Sequence, residues 1–208
     1  MPELSSRRPL KSRSNPVFQR LATRLAKTGV TADAISAAGL AFGLASGFTL
    51  AATWHAGSWS MQFTLWIASA ALIQLRLLSN MLDGMVAVEG GRKSKLGPLW
   101  NEIPDRISDS ATLIGAGYAH GGVPELGWLA ALLAVITAYI RAIGALSGAG
   151  EAFLGYFSKP RRMFFMTVAC LVSAAGFAPL AMPAVLWLIV AGSAVTCVQR
   201  LEWISKKL

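Results

Sequence analysis

Apolar and basic segments alternate along this chain in a pattern that suits a membrane-spanning helical bundle and little else. Six stretches read as apolar: about 34–53, 61–88, 99–118, 126–146, 163–177 and 184–203. Most approach the ~20 residues a helix needs to cross ~30 Å of hydrocarbon. The 19 Lys and Arg residues are spread unevenly between them. Seven precede residue 30 (Arg7, Arg8, Lys11, Arg13, Arg20, Arg24, Lys27), and Arg92, Lys93 and Lys95 crowd the link after the second stretch. Lys159, Arg161 and Arg162 precede the fifth, and Arg200, Lys206 and Lys207 lie at the C-terminal end. The links at 54–58, 119–125 and 178–183 hold no Lys or Arg. Six helices with both ends in the cytoplasm produce this alternation.

The net charge of +9 therefore reads as orientation and lipid-surface charge, with the bilayer as partner and no nucleic acid. Hydrophobic residues make up 54% and charged residues 14%, against about 25% charged in soluble domains, and the mean hydropathy is +0.53. Disorder, collagen-like repeats and disulfide scaffolds are excluded. Cys170 and Cys197 lie inside apolar runs and read as small buried hydrophobes. The third stretch is polar, and counts as a span only because its charges can face an interior; the fifth is short.

Residues 1–15 form a basic N-terminal arm. Its Ser- and Arg-rich part resembles a transit peptide, against which Glu3 and the lack of an apolar face argue. Residues 16–30 read as an amphipathic helix, with Val17, Phe18, Leu21 and Leu25 beside Arg20, Arg24 and Lys27. Such a helix lies in the cytoplasmic interface against anionic lipid; the alternative is a solvated basic arm. Thr31 or Asp33 can cap the first span. Gly39, Gly43 and Gly47 give that span a face of small residues for close helix packing, within the chain or between copies. Residues 31–208 are one six-helix domain. The expected fold is all-α: a polytopic membrane protein, six transmembrane helices preceded by an interfacial amphipathic helix.

Five of the ten carboxylates (Asp83, Glu89, Glu102, Asp105, Asp109) lie within 27 residues, at the end of the second stretch and the start of the third. Acidic groups at membrane depth are costly and face an interior or a water-filled cavity. Asn80 and Asp83 are i,i+3 on one helix, followed by Gly84; Asn101, Asp105 and Asp109 form an i,i+4,i+8 stripe on the next. A short basic turn brings the two together as an all-oxygen site suited to Mg²⁺ or Mn²⁺. The alternative is capping and salt bridging with Arg76, Arg92 or Arg106.

The stretch from Asn80 to Asp105 resembles the CDP-alcohol phosphotransferase signature, D-x2-D-G-x2-A-R-x8-G-x3-D-x3-D. Every spacing matches, and Asp83, Gly84, Ala87, Gly97 and Asp105 match by identity, five of eight positions. Thr31-Ala32-Asp33 is similar to the family's threonine-led opening of the first span. Asn80 and Asn101 stand where the family has aspartate, and Val88 where it has arginine. The formal charge of the four aspartate positions falls from −4 to −2, which Asp109, Glu89 or Glu102 could offset. The chain resembles a bacterial branch with Asn at both positions, which favours altered ligation over decay.

The resemblance implies transfer of a substituted, phosphatidyl-type phosphate from a CDP-linked donor, with CDP-diacylglycerol as the expected lipid, to an unidentified alcohol, releasing CMP. It implies Asp83 with Asn80, Asn101, Asp105 and the added Asp109 around the metal, and Asp105 as general base. Asp83, Gly84, Ala87 and Gly97 would meet the nucleotide, and a homodimer is expected. On the acceptor side, Lys159, Arg161 and Arg162 could hold a phosphate or an anionic headgroup, or serve orientation alone. Arg141 needs a counter-charge, for which Asp109 or a bound phosphate would serve, and Arg76 is expected to snorkel. Two rival readings are a weakened relative that binds CDP-lipid or works with a partner enzyme, and a cation transporter. The clustering of carboxylates at one membrane face argues against the transporter.

Overall fold

A computed structural model describes residues 15–89 and 97–208, with the side chains of 88, 89, 97, 98 and 101 excepted. The basic arm and the Arg92–Lys93–Lys95 link lie outside the described residues. Everything regular among the described residues is helical: α1 (Pro16–Lys27), α2 (Ala32–Ala52), α3 (Trp59–Glu89), α4 (Gly97–Gly117), α5 (Pro124–Leu146), α6 (Lys159–Val172) and α7 (Ala178–Ser205).

Local chemistry sets the helix starts. Asn15 accepts a hydrogen bond from the Val17 amide at 2.9 Å, and Thr31, not Asp33, caps α2 through the Ala34 amide at 3.1 Å. Pro16, Pro124, Pro160 and Pro179 fall in first turns, where a missing N–H costs nothing. Among the described residues, four stretches are long and apolar enough to cross a membrane: Ala32–His55, Trp59–Ala87, Pro124–Leu146 and Lys159–Ser205. The last is two helices, because the chain doubles back at Ser173–Phe177, where Gly176 takes φ 99°. The Phe157 amide, just before α6, donates to Thr196 Oγ1 of α7 at 2.9 Å, so the two run antiparallel. The expected link at 178–183 is thereby corrected: it is the first turns of α7, and the reversal comes earlier. α4 carries too many polar groups to pass as a span on hydropathy.

Small residues hold α2 against α4. A Cβ on Gly43 would strike Ser108, one on Gly47 the Ala111 carbonyl, and one on Gly115 the Gly47 backbone. Ser46 and Thr112 hydroxyls meet between these helices at 2.7 Å, and Thr49 meets Ser69 of α3 at 2.8 Å. Lipid tails are as apolar as side chains, so close backbone approach and interhelical hydrogen bonds carry the association. The glycine stripe thus serves contacts within the chain. α1 turns Phe18, Ala22 and Leu25 onto Leu82 and Met85 of α3, while Val17 and Leu21 of the same expected apolar face stay exposed.

The bundle has two unlike ends. At one, the His120 amide donates to Thr53 Oγ1 at 2.9 Å, and Gly121 lies against Ala178 and Pro179. The three connections without Lys or Arg therefore converge there. At the other end lie the acidic residues of α3 and α4.

Candidate active site at the charged end of the bundle

α3 delivers Asp83 within two turns of its C-terminal end, and α4 delivers Asp105 and Asp109 from adjacent turns of one face. All three are buried. Ser36 Oγ of α2 donates to Asp83 Oδ2 at 2.8 Å, and the Gly84 amide donates to Oδ1. Asp83 lies within electrostatic reach of Asp105, and Arg76 of the same helix pairs with Asp105. Asn80, Gly84 and Ala87 are half-buried on the same helix. Gly97 opens α4; its contacts and the Asn101 side chain lie outside the described residues.

The carboxylates do not stand alone. Asp105 pairs with Arg76 of α3, with Lys159 of α6 at 2.8 Å and with Arg106 at 3.4 Å. Lys159 also reaches Asp109 at 3.2 Å, and Arg162 meets Asp109 at 3.4 Å. Arg162 further donates to the Phe157 carbonyl at 2.8 Å. Three helices are thereby tied through a nearly dry chain of alternating charge.

Arg76 does not snorkel. It is 4% exposed, turned inward because Asp105 offers a counter-charge there. Arg141 is paired by Glu102 of α4 and by Glu151 at 2.9 Å, not by Asp109. Arg141 meets α4 at Glu102 in its second turn, whereas Asp109, about two turns further on, is drawn to α6. Arg161 is exposed and donates to the Tyr156 carbonyl at 2.8 Å, so it belongs to the surface and not to the cluster with Lys159 and Arg162. It borders an open hollow of about 460 Å³ with Gln199, Trp203 and Lys206. Sequence spacing did not foresee Ser36, or Glu102 and Glu151 as the partners of Arg141. No local signal marks them, because each meets its partner only through helix packing.

The donor set suits a hard divalent cation. Asp83, Asp105 and Asp109 are buried at one end of the bundle, and Asp109 Oδ1 has an ion-pair contact with Lys159 at 3.2 Å but no hydrogen bond among the described residues. No three Asp, Glu, His or Cys side chains converge as a ready cage among the described residues, so such an ion would be held with Asn or substrate oxygens completing its shell.

No family model matches the chain. A phosphatidylinositol phosphate synthase from Mycobacterium marinum is 30% identical over 194 residues, covering 89% of this chain and 78% of that protein. The chain belongs to the CDP-alcohol phosphatidyltransferase family. Two crystal structures of the Mycobacterium tuberculosis phosphatidylinositol phosphate synthase share its fold at 25% identity. One has CDP-DAG bound, with a TM-score of 0.75 over 91% of this chain and 94% of that one. The other is a complex with manganese and citrate, with a TM-score of 0.74 over 90% and 88%. As a CDP-alcohol phosphatidyltransferase, the chain is an enzyme of phospholipid synthesis. It moves a phosphatidyl group from a CDP-linked lipid to an alcohol and uses Mg²⁺ or Mn²⁺. Its helices are those of an integral membrane protein.

Proposed function

We propose that the acceptor is an inositol phosphate and that the transfer takes place between α3, α4 and α6 at the charged end. One observation carries the reading: Arg76, on the helix of Asp83, pairs with Asp105 of α4, and Lys159 and Arg162 of a third helix reach Asp105 and Asp109. Relatives named phosphatidylinositol phosphate synthase supply the acceptor class. Its phosphate calls for cations, which Lys159, Arg162 and Arg141 provide, while Arg161 at the rim suits a lipid headgroup.

Asp105 takes the proton of the attacking hydroxyl as the ester bond forms, a role its carboxylate is chemically suited to. Asp83, Asn80, Asn101, Asp105 and Asp109 would hold the metal ion, which when bound would offset charge on the diphosphate and on departing CMP. Ser36 fixes the Asp83 carboxylate in orientation through its hydrogen bond. Gly84, Ala87 and Gly97 leave the cytidine room to lie close to the helix backbones.

In the same proposal α2 to α7 are six spans, residues 16–30 lie in the interface, residues 1–15 form a basic arm, and both termini are cytoplasmic. Convergence of the three uncharged connections at the opposite end supports that sidedness. The enzyme acts as a homodimer.

The test is CMP release from CDP-diacylglycerol by purified protein with Mn²⁺ or Mg²⁺, across inositol phosphate, inositol, glycerol phosphate and serine, beside Asp105→Asn. Metal-dependent release with inositol phosphate alone, lost in the variant, is the expected result. Release with another acceptor would replace the acceptor. Donor binding without release would point to a weakened relative.

A further inference from the structure

Four arginines hold the link between α5 and α6. Arg200 Nε of α7 donates to the Leu154 carbonyl at 3.0 Å, while Arg161 and Arg162 of α6 donate to the Tyr156 and Phe157 carbonyls, each at 2.8 Å. These three close on main-chain oxygens. Arg141 of α5 instead takes a side-chain carboxylate: Glu151 Oε2 lies 2.9 Å from its Nη1. Its other arm, Nη2, meets Glu102 of α4.

The two carboxylates on Arg141 are not equivalent. Glu102 is built into a helix and also faces Arg106 at 3.6 Å, and Arg106 faces Asp105 at 3.4 Å. Arg141 thus ends a chain of ion pairs that begins at the carboxylate assigned as general base. Glu151 lies in the link, and Arg141 is its only ion-pair partner among the described residues. Its neighbour Ala152 is fully buried and Ala149 nearly so, which anchors the main chain. The Glu151 carboxylate can therefore leave by rotation of its own side chain. With 27% of that side chain exposed, water receives it on departure. A guanidinium fork suits two oxygens of one anion, yet here each arm meets a different carboxylate. A phosphate monoester offers those oxygens together with a second negative charge.

We propose that Glu151 is a specificity-determining residue: its carboxylate stands in for the acceptor's phosphate on Arg141, and an acceptor must bring a phosphate to displace it. A neutral alcohol cannot make that exchange and leaves the ion pair closed. The proposal rests on the reading that Arg141 receives the acceptor's phosphate.

Inositol phosphate and, separately, inorganic phosphate are titrated calorimetrically into the purified full chain in nanodiscs, and acceptor KM and kcat are read from CMP release. Glu151→Gln is expected to bind both about threefold more tightly, the size of a partly exposed ion pair, with the change in KM and not in kcat. Arg141→Gln is expected to weaken binding, and adding Glu151→Gln to it to change nothing further. A Glu151 that merely fastened the link would give the opposite sign. Unchanged or weaker binding in Glu151→Gln therefore overturns the proposal, whether or not the Arg141 variants fold. So does equal tightening in the Arg141→Gln background, which would make Glu151 a source of general repulsion. If neither the wild type nor Glu151→Gln binds either probe, or if Arg141→Gln binds them as the wild type does, the acceptor reading beneath it fails instead.

Discussion

Two charge clusters lie at the same end of the bundle and differ mainly in how dry they are. In the cluster of Arg76, Asp105, Lys159, Asp109 and Arg162, side chains are 2–12% exposed. In the cluster of Arg141, Glu102 and Glu151 they are 17–44% exposed. Both tie helices together, but only the first does so where water cannot replace a lost partner. Removing one member of a buried pair leaves a charge with nothing to solvate it, while a half-exposed pair gives up little. The dry cluster is thus where chemistry and stability depend on the same side chains.

The contrast can be broken at several points. The largest effect is expected from Asp105→Asn, which should lower CMP release by about 10²–10⁴-fold, the usual contribution of a general base; a rate near wild type would remove Asp105 from that role. Next, Arg162→Met strands Asp109 with Lys159 alone and should destabilise the fold by roughly 3 kcal/mol, read as a lowered thermal transition in detergent. Gly47→Ala forces a methyl against the Ala111 carbonyl and should cost about 1–3 kcal/mol in the same measurement. The smallest effect belongs to Glu102→Gln in the wetter cluster, at about 0–1 kcal/mol after solvent screening. If Glu102→Gln and Arg162→Met proved equally damaging, dryness would not be what separates the two clusters.

Helix positions were legible because hydropathy and the distribution of Lys and Arg are one-dimensional signals, and the second, fourth and sixth stretches fall on α3, α5 and α7. The reversal before α7 was not. Pro179 and Pro183 read as a loop, yet Pro179 falls in the first turn of α7, where proline is compatible with helix, Pro183 lies inside that helix, and the turn is made by Gly176. The site was legible as far as residues share a helix: the spacing of Asp105 and Asp109 predicted one face, and they occupy one. Partners across helices were not, because nothing in the neighbourhood of Arg76 or Arg141 specifies which carboxylate will arrive opposite. Ser36 is a further case, since a serine in an apolar helix becomes informative only once α3 is packed beside it.

The contact between α2 and α4 has a consequence for how the enzyme can move. With Gly47, Gly115 and the Ala111 carbonyl in backbone-to-backbone contact, sliding either helix by one residue would drive a side chain into main chain. The pair behaves as a keyed shaft, fixed in register. The helix that carries Asp105 is therefore locked to the one whose Ser36 orients Asp83. Room for a lipid donor to enter or for product to leave must therefore come from a part of the bundle other than this pair.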